Sequence, residues 1–141
     1  MLKSAVKSLT DQEYADFRAG KEMGFARVAK LNGYPSPLEV NQLGKELKLS
    51  TSQKAQLEKI IDAWRFKAKE MGGFIVAQEA KLNTLFASGK ISDGAVIYYT
   101  NKIGLYWGEV RNAHLQAYLK TRSVLTAEQL RKYNRLKGYI K

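Results

Sequence analysis

The sequence predicts an all-α protein built on a long antiparallel helical hairpin, and three observations support this. Apolar residues recur every three or four positions through two long stretches, residues 50–88 and 92–123. A short turn containing Gly89 separates them, and a connection this short forces two helices to lie antiparallel. Strand-like alternation is missing from the sequence, apart from short apolar patches such as the one beginning at Phe74.

Three short helices are predicted before the hairpin, in an N-terminal region of residues 1–48 that we expect to pack on it. The first begins at Thr10, which has capping-box spacing to Glu13, and ends near Gly20. A second is predicted from Lys21 to Leu31, because apolar residues continue there at helical spacing.

Residues 32–37 form the clearest break in the chain. Two prolines, Pro35 and Pro37, forbid a continued helix. Ser36 is placed to cap a third helix that has Pro37 at its favoured first position, and we expect this helix to extend to Leu47.

Two copies of a five-residue phrase mark helix starts within the hairpin domain, residues 49–141. Leu49-Ser50-Thr51-Ser52-Gln53 opens the first long helix, and Leu125-Thr126-Ala127-Glu128-Gln129 follows the second. In each copy a hydroxyl residue at the N-cap has Gln three positions later, so that two capping boxes are predicted, Ser50 with Gln53 and Thr126 with Gln129. The last helix should end near Lys137, before Gly138.

The turn and the apolar spacing also predict how the hairpin packs. Gly89 can close the first long helix, and Ser92 or Asp93 can cap the second. Antiparallel packing around residue 90 places Trp64 by Ala117 and brings Gly72-Gly73 opposite Gly108, where we expect a close crossing or a bend. The predicted core stripes are Leu57, Ile60, Ile61, Trp64, Ala68, Met71, Ile75, Leu82 and Leu85 on the first helix, and Val96, Tyr99, Ile103, Tyr106, Val110, Ala113, Ala117 and Val124 on the second.

Composition and charge narrow the possible partners. The chain has 24 Lys and Arg against 13 Asp and Glu, and from Arg111 to Lys141 the only acid is Glu128. This excess of positive charge attracts anionic partners such as nucleic acid, acidic lipid headgroups or acidic unfolded chains. A solvent-exposed helix face without a partner would show the same excess of Lys and Arg. There is no cysteine, and no apolar run approaches the roughly 20 residues of a membrane span, so thiolate metal sites are excluded and membrane insertion is not expected.

No enzymatic site and no cofactor are expected. The single histidine, His114, cannot build a catalytic triad or a paired-histidine metal motif, and no phosphate-binding glycine loop occurs. His114 is either a partly buried ring with one hydrogen bond or a metal ligand helped by Met71 or Met23. The Gly104-to-Gly108 GxxxG spacing favours close packing of an amphipathic helix.

Aromatic residues extend beyond the predicted core stripes. Tyr98 and Tyr99 differ by about 100° around a helix and so cannot face one side, and Phe66 and Phe74 lie off the stripe of the first long helix. Extra apolar faces on a thin hairpin indicate either core or subunit packing or a surface that binds exposed hydrophobic segments.

The two phrases, separated by a helical hairpin, resemble the paired LTxxQ motifs of the Spy/CpxP family, with Ser50 where the family usually has Thr. That family comprises small exported bacterial proteins: ATP-independent chaperones, envelope-stress regulators and periplasmic heavy-metal resistance or sensor proteins. The resemblance covers about residues 31–139 and includes Asn32-Gly-Tyr-Pro-Ser-Pro37 and Thr121-Arg-Ser-Val-Leu125.

The resemblance implies a periplasmic homodimer of helical hairpins that form a cradle for unfolded or misfolded proteins. Lys and Arg would capture clients by long-range attraction, and scattered aromatic residues would hold their apolar segments weakly. The residues expected to bind clients are Arg65, Phe66, Lys69, Arg111 and Lys120.

Two other functions remain open. One is a metal-responsive sensor or resistance protein with weak transition-metal binding. Metal-sensing relatives carry HxxxH before the second motif, whereas this chain has Tyr118 four residues after His114, and a phenol is a poor ligand for a divalent ion at neutral pH. The other is a nucleic-acid-binding helical protein, suggested by the charge but by no recognition-helix motif, so nucleic acid is not the expected partner.

Overall fold

The computed structural model describes residues 2–138, which form six helices and no strand. The helices are α1 Asp11–Ala19, α2 Arg27–Leu31, α3 Pro37–Gln42, α4 Thr51–Ser88, α5 Asp93–Val124 and α6 Ala127–Lys137. The predicted all-α architecture with a long helix pair is therefore confirmed. Lys141, the last of the basic residues noted above, lies outside the described residues.

The predicted helix ends are confirmed where local chemistry specifies them. The Thr10 and Thr126 hydroxyls accept from the N3 backbone amides, and the N3 side chains accept from the cap backbone in return. Gly20, Gly89 and Gly138 follow their helices with φ values of 67°, 72° and 70°, which glycine adopts without the steric cost of a Cβ.

Two of the short helices are shorter than predicted. The helix expected from Lys21 begins only at Arg27, because Met23 and Gly24 have φ values of 52° and 80° and so interrupt any helix there. Burial of Phe25 and Ala26 takes precedence over helical propensity in this segment.

The third helix was expected to reach Leu47 but ends at Gln42. Its start is as predicted, with the Ser36 hydroxyl accepting from the Glu39 amide and Pro37 in the first turn. Residues 43–48 continue as turns, and Lys48 has a φ of 54°, so the chain leaves the helix before α4 begins.

The chain divides into two compact units, and the long helices contribute to both. Of the described residues, 2–23 and 66–112 belong to unit 1, and 24–65 and 113–138 belong to unit 2. Most of the α4 stripe is buried as predicted: Leu57, Ile61 and Trp64 in unit 2, and Ala68, Met71 and Ile75 in unit 1.

In unit 2 the two capping boxes are joined by their glutamines. Gln53 Nε2 donates to Gln129 Oε1 at 2.7 Å, and Gln129 Nε2 donates to Gln53 Oε1 at 3.1 Å. The same Nε2 atoms also donate to the carbonyls of Val124 (2.9 Å) and Leu47 (3.1 Å). Each Oε1 accepts from its own cap amide as well, so the starts of α4 and α6 share one hydrogen-bond network.

A second polar network in unit 2 holds α6 against the segment that contains α3. The Tyr133 hydroxyl donates to Glu39 Oε2 at 2.5 Å and accepts from the Ser36 amide at 3.1 Å. Lys137 Nζ lies 3.7 Å from Glu39 Oε1, which adds an ion pair. Tyr133 is 0% exposed, and a buried hydroxyl without hydrogen bonds would destabilise the folded protein, so these bonds are needed there.

In unit 1 residues 2–23, which we call the N-terminal arm, pack on α4. A Cβ built on Gly72 would lie 2.0 Å from the carbonyl oxygen of Phe17, so the backbone of α1 rests directly on the glycine. The close approach predicted at Gly72 is thus present, but its partner is α1. A Cβ on Gly108 or Gly73 would meet nothing within 4 Å, so the proposed crossing with α5 at this point was wrong.

The two long helices pack antiparallel within each unit. In unit 1 the Phe74 and Tyr106 rings lie 5.1 Å apart. In unit 2 Trp64 Nε1 donates to His114 Nδ1 at 2.8 Å, one helical turn away from the Ala117 partner that we predicted. The predicted register was therefore displaced for this pair, because the indole reaches along the helix to a polar acceptor that apolar spacing cannot reveal.

Candidate functional site

The candidate site lies in unit 1, where the ends of α4 and α5 that flank the turn are poorly covered. None of the residues 76–109, which we call the tip segment, is buried. Two helices alone can cover only one side of each other, so the remaining sides of this segment face outward.

Six large apolar side chains of the tip segment are substantially exposed: Phe86 58%, Val96 36%, Ile97 61%, Tyr98 53%, Leu105 55% and Trp107 39%. At roughly 150–250 Å² per large side chain they expose on the order of 600 Å² together. This total is comparable to the largest apolar patch of an ordinary monomer. Val96 was predicted to lie in the core, which was wrong, because no third element of the described chain buries its position.

The most open part of this surface is a strip along α5. Ile97 and Leu105 lie on the same side of the helix as Gly104 and Gly108, since residues seven, eight and eleven positions after Ile97 stay within about 80° of it. A Cβ built on either glycine would meet no atom within 4 Å. The predicted close packing at this GxxxG spacing is therefore not made by the described residues of the chain.

The aromatic side chains of α5 divide between inward and outward positions, as their helical spacing requires. Tyr106 is half-buried against Phe74, whereas Tyr98 is exposed, contacts Tyr99 edge-on at 5.0 Å and has Lys102 Nζ 5.7 Å from its ring centre. Outward rings beside a cation give the surface both apolar area and positive charge.

The five residues predicted to bind clients occupy exposed positions in both units. Phe66, Lys69 and Arg111 belong to unit 1, and Phe66 is 69% exposed. Arg65 and Lys120 belong to unit 2. Within unit 1, Phe66 and Lys69 are one turn apart on α4, so these two are neighbours on the helix surface. A single surface of all five residues remains a prediction.

Two shallow depressions accompany the helix pair. One, of about 320 Å³, lies in unit 1 and is lined by Ala80, Lys81, Thr84, Leu85 and Tyr99. The other, of about 310 Å³, lies in unit 2 and is lined by Gln56, Lys59, Ile60, Lys120, Ser123 and Val124. Each combines an apolar floor with at least one lysine, so each suits an apolar group that carries a negative charge.

Charge and exposed apolar area are distributed differently between the units. Counted over residues 2–138, unit 2 contains 13 Lys and Arg against five Asp and Glu, whereas unit 1 contains ten against eight. Among the residues that the structure describes, unit 1 nevertheless contains nine of the 13 exposed large apolar side chains, and unit 2 contains four. Long-range attraction of anions therefore originates mainly from unit 2, and short-range apolar contacts are available mainly on unit 1.

His114 is fully buried, at 0% exposure, which is deeper than we predicted. Its Nδ1 accepts the Trp64 hydrogen bond, so this nitrogen carries no proton and the ring is neutral. Its ring also stacks on Phe25 at 5.5 Å. These contacts describe a packed core histidine. In the described part of the chain, no three His, Cys, Asp or Glu side chains come together as a metal-binding group.

Sequence reasoning missed two features of unit 1. Ile97 follows a core-stripe position directly, and that spacing could have indicated an outward apolar residue. The second feature is the contact between Phe17 and Gly72, which are 55 positions apart in the sequence. The only sequence signal for this contact is a glycine in the middle of a long helix, where it is otherwise unfavourable.

Comparison with known proteins finds no relative of this chain. No protein-family model matches the chain, and neither a curated protein nor a solved structure matches it. Among the described residues, no helix is both long enough and apolar enough to cross a membrane.

Proposed function

We propose that this protein is an ATP-independent chaperone or envelope-stress protein of the Spy/CpxP type, which binds unfolded or misfolded polypeptides on its exposed helical surface. Action in the periplasm and assembly as a homodimer belong to the same proposal. The family is proposed on the sequence resemblance of the two phrases, which include Ser50–Gln53 and Thr126–Gln129, to the paired LTxxQ motifs.

The observation that carries the proposal is the exposed apolar area of the tip segment. Its six exposed side chains reach the size of the largest apolar patch on a typical monomer, and such a patch is often a binding site. The surface is open and shallow, so it suits segments of varied sequence held by several weak contacts better than one small ligand in an enclosed pocket.

Positive charge supplies the second part of the proposed mechanism. The excess of Lys and Arg in unit 2 would accelerate encounters with acidic unfolded chains, and the apolar side chains of unit 1 would then hold them. Because salt screens the first step, client affinity should fall as ionic strength rises. An affinity that is unchanged between low and molar salt would contradict electrostatic capture.

The test is suppression of the aggregation of an unfolded client by two matched double variants. Ile97→Ser with Leu105→Ser removes apolar area from the tip segment, and Val28→Ser with Leu31→Ser removes exposed apolar area from α2 in unit 2. We expect the first variant to lose most of its suppression and the second to keep it, with far-UV circular dichroism confirming that both remain helical. Equal suppression by wild type and the tip variant would refute the assignment of this surface.

A further inference from the structure

We propose that unit 1 has a groove that binds short amphipathic helices with aromatic residues, and that the N-terminal arm of the same chain occupies it. Client segments of this kind compete with the arm for the groove. The inference rests on the proposed function only in that the competitor is a client. The groove itself is defined by the arm, because the arm is a bound segment whose contacts are visible.

The arm runs antiparallel to α4 along one of its faces. Near the start of the arm, the Ser8 hydroxyl donates to Glu79 Oε2 at 2.8 Å. Further along, Phe17 lies on Gly72, and at the end Gly20 lies against Ala68, whose Cβ would be 3.2 Å from a Cβ built on Gly20. These α4 positions recur every four to seven residues and so form one line on the helix surface.

The floor of the groove is apolar, and helical spacing on α4 places it beneath the arm. Ile75 lies on the same line of α4, between Gly72 and Glu79, and is 0% exposed, and the neighbouring Met71 is 4% exposed. Both residues flank the point where Phe17 meets the helix backbone. Removal of the arm would therefore expose a continuous apolar row next to the tip segment.

The arm shows which segments fit. Tyr14 and Phe17 are one turn apart on α1, are 7% and 1% exposed, and form the buried face of a short helix with polar residues on its other face. The Phe17 ring contacts Trp107 edge-on at 5.2 Å. Since Trp107 is also one of the exposed side chains of the tip segment, the groove is continuous with the candidate site.

Gly72 sets the steric requirement of the groove. A helix can rest its backbone on α4 only where α4 lacks a Cβ, and the 2.0 Å distance from a Cβ on Gly72 to the Phe17 carbonyl oxygen leaves no room for a side chain. The groove is therefore selective for close backbone approach combined with two aromatic anchors, a pattern that amphipathic segments of many proteins share.

Three features of the arm favour its detachment from α4. Its side-chain bond to Glu79 is exposed to solvent, and residues 2–23 carry four basic and four acidic side chains, so charge contributes little net attraction. The arm ends at Met23, which like Gly24 has a left-handed conformation, so no continuous helix connects the arm to the residues that follow it in unit 2.

The experiment measures binding of a fluorescent peptide with the sequence of residues 4–20 to the full-length protein by anisotropy. Phe17→Ala in the protein weakens the arm and leaves the groove intact, whereas Gly72→Ala displaces the arm and also obstructs the groove. If the arm occupies the groove nine-tenths of the time in wild type and Phe17→Ala releases it, the variant should bind the peptide about tenfold more tightly than wild type. Gly72→Ala should bind no more tightly than wild type.

Two further peptides and one further variant complete the test. A peptide with alanine in place of Phe17 should not bind, and an unrelated amphipathic peptide that keeps an aromatic pair one turn apart should compete with the arm peptide. Leu9→Ala provides a milder arm variant if Phe17→Ala fails to fold, as judged by circular dichroism. Equal peptide binding by Gly72→Ala and Phe17→Ala, no gain in either arm variant, or failure of the unrelated peptide to compete would each overturn the proposal.

These results can be separated from the fate of the proposed function. Loss of aggregation suppression in the tip variant, combined with no peptide binding in any arm variant, would retain the chaperone proposal and remove the groove. Peptide exchange in a protein that suppresses no aggregation would retain the exchangeable arm but remove clients as its competitor, and with them the inference as stated.

Discussion

The adjacent glycines Gly72 and Gly73 should respond in opposite directions to the same substitution. Both lie within α4, where alanine is preferred to glycine by about 0.5–1 kcal/mol because glycine loses more backbone freedom on folding. At Gly73 a Cβ would meet nothing within 4 Å, so Gly73→Ala should stabilise the protein by about that amount.

At Gly72 the same methyl group collides with backbone. Its distances to the oxygen and carbon of the Phe17 carbonyl would be 2.0 and 2.8 Å, so α1 must retreat by about 1 Å or more. Displacement of the arm uncovers Phe17, whose burial stabilises the protein by about 1.5–3 kcal/mol. After the helix-propensity gain is subtracted, Gly72→Ala should destabilise the protein by about 1–2 kcal/mol.

Urea unfolding followed by circular dichroism measures both variants. The free energies of unfolding of Gly72→Ala and Gly73→Ala should differ by about 1.5–3 kcal/mol, with wild type between them. The fluorescence of Trp107 should also change in Gly72→Ala, because Phe17 contacts its ring, and should not change in Gly73→Ala. Shifts of the same sign and size in both variants would refute the placement of α1 on Gly72.

Two further predictions concern unit 2. Gln129→Ala removes the hydrogen bonds that join the two capping boxes and should lower the free energy of unfolding by about 2–3 kcal/mol. As a control, substitution of the exposed Gln56 by alanine should change the free energy of unfolding by less than about 0.5 kcal/mol. A similar small change in both variants would contradict the network. Trp64→Phe removes the donor to the buried Nδ1 of His114 and should cost about 1–3 kcal/mol, measured by the same urea unfolding; wild-type stability in this variant would show that the bond contributes nothing.

The features that could be predicted from the sequence are those specified by neighbouring residues. The caps at Ser50 and Thr126 and the turn at Gly89 each depend on side chains within three or four positions, and the structure confirms them. The helix expected from Lys21 failed because Met23 adopts a left-handed conformation that no local pattern indicates.

The features that could not be predicted depend on contacts distant in sequence. Gly72 was recognised as a point of close approach, but antiparallel symmetry suggested Gly108 as its partner and nothing in the sequence indicated Phe17. For the candidate site, the spacing of the aromatic residues predicted a second apolar face. The exposure of Ile97 could not be predicted, because it depends on the absence of a third helix at that end of the hairpin within the described chain.

The reciprocal amide bonds between Gln53 and Gln129 restrict how these two positions can vary. A carboxylate at position 53 could still accept from the Ser50 amide, but it could no longer donate to the Val124 carbonyl or to the other glutamine. A substitution that preserves the cap of one helix can therefore still destabilise the protein, because it breaks the hydrogen bonds to the start of the other helix. Tolerated replacements should come as compensating pairs, so that these two sites behave as a single heritable unit.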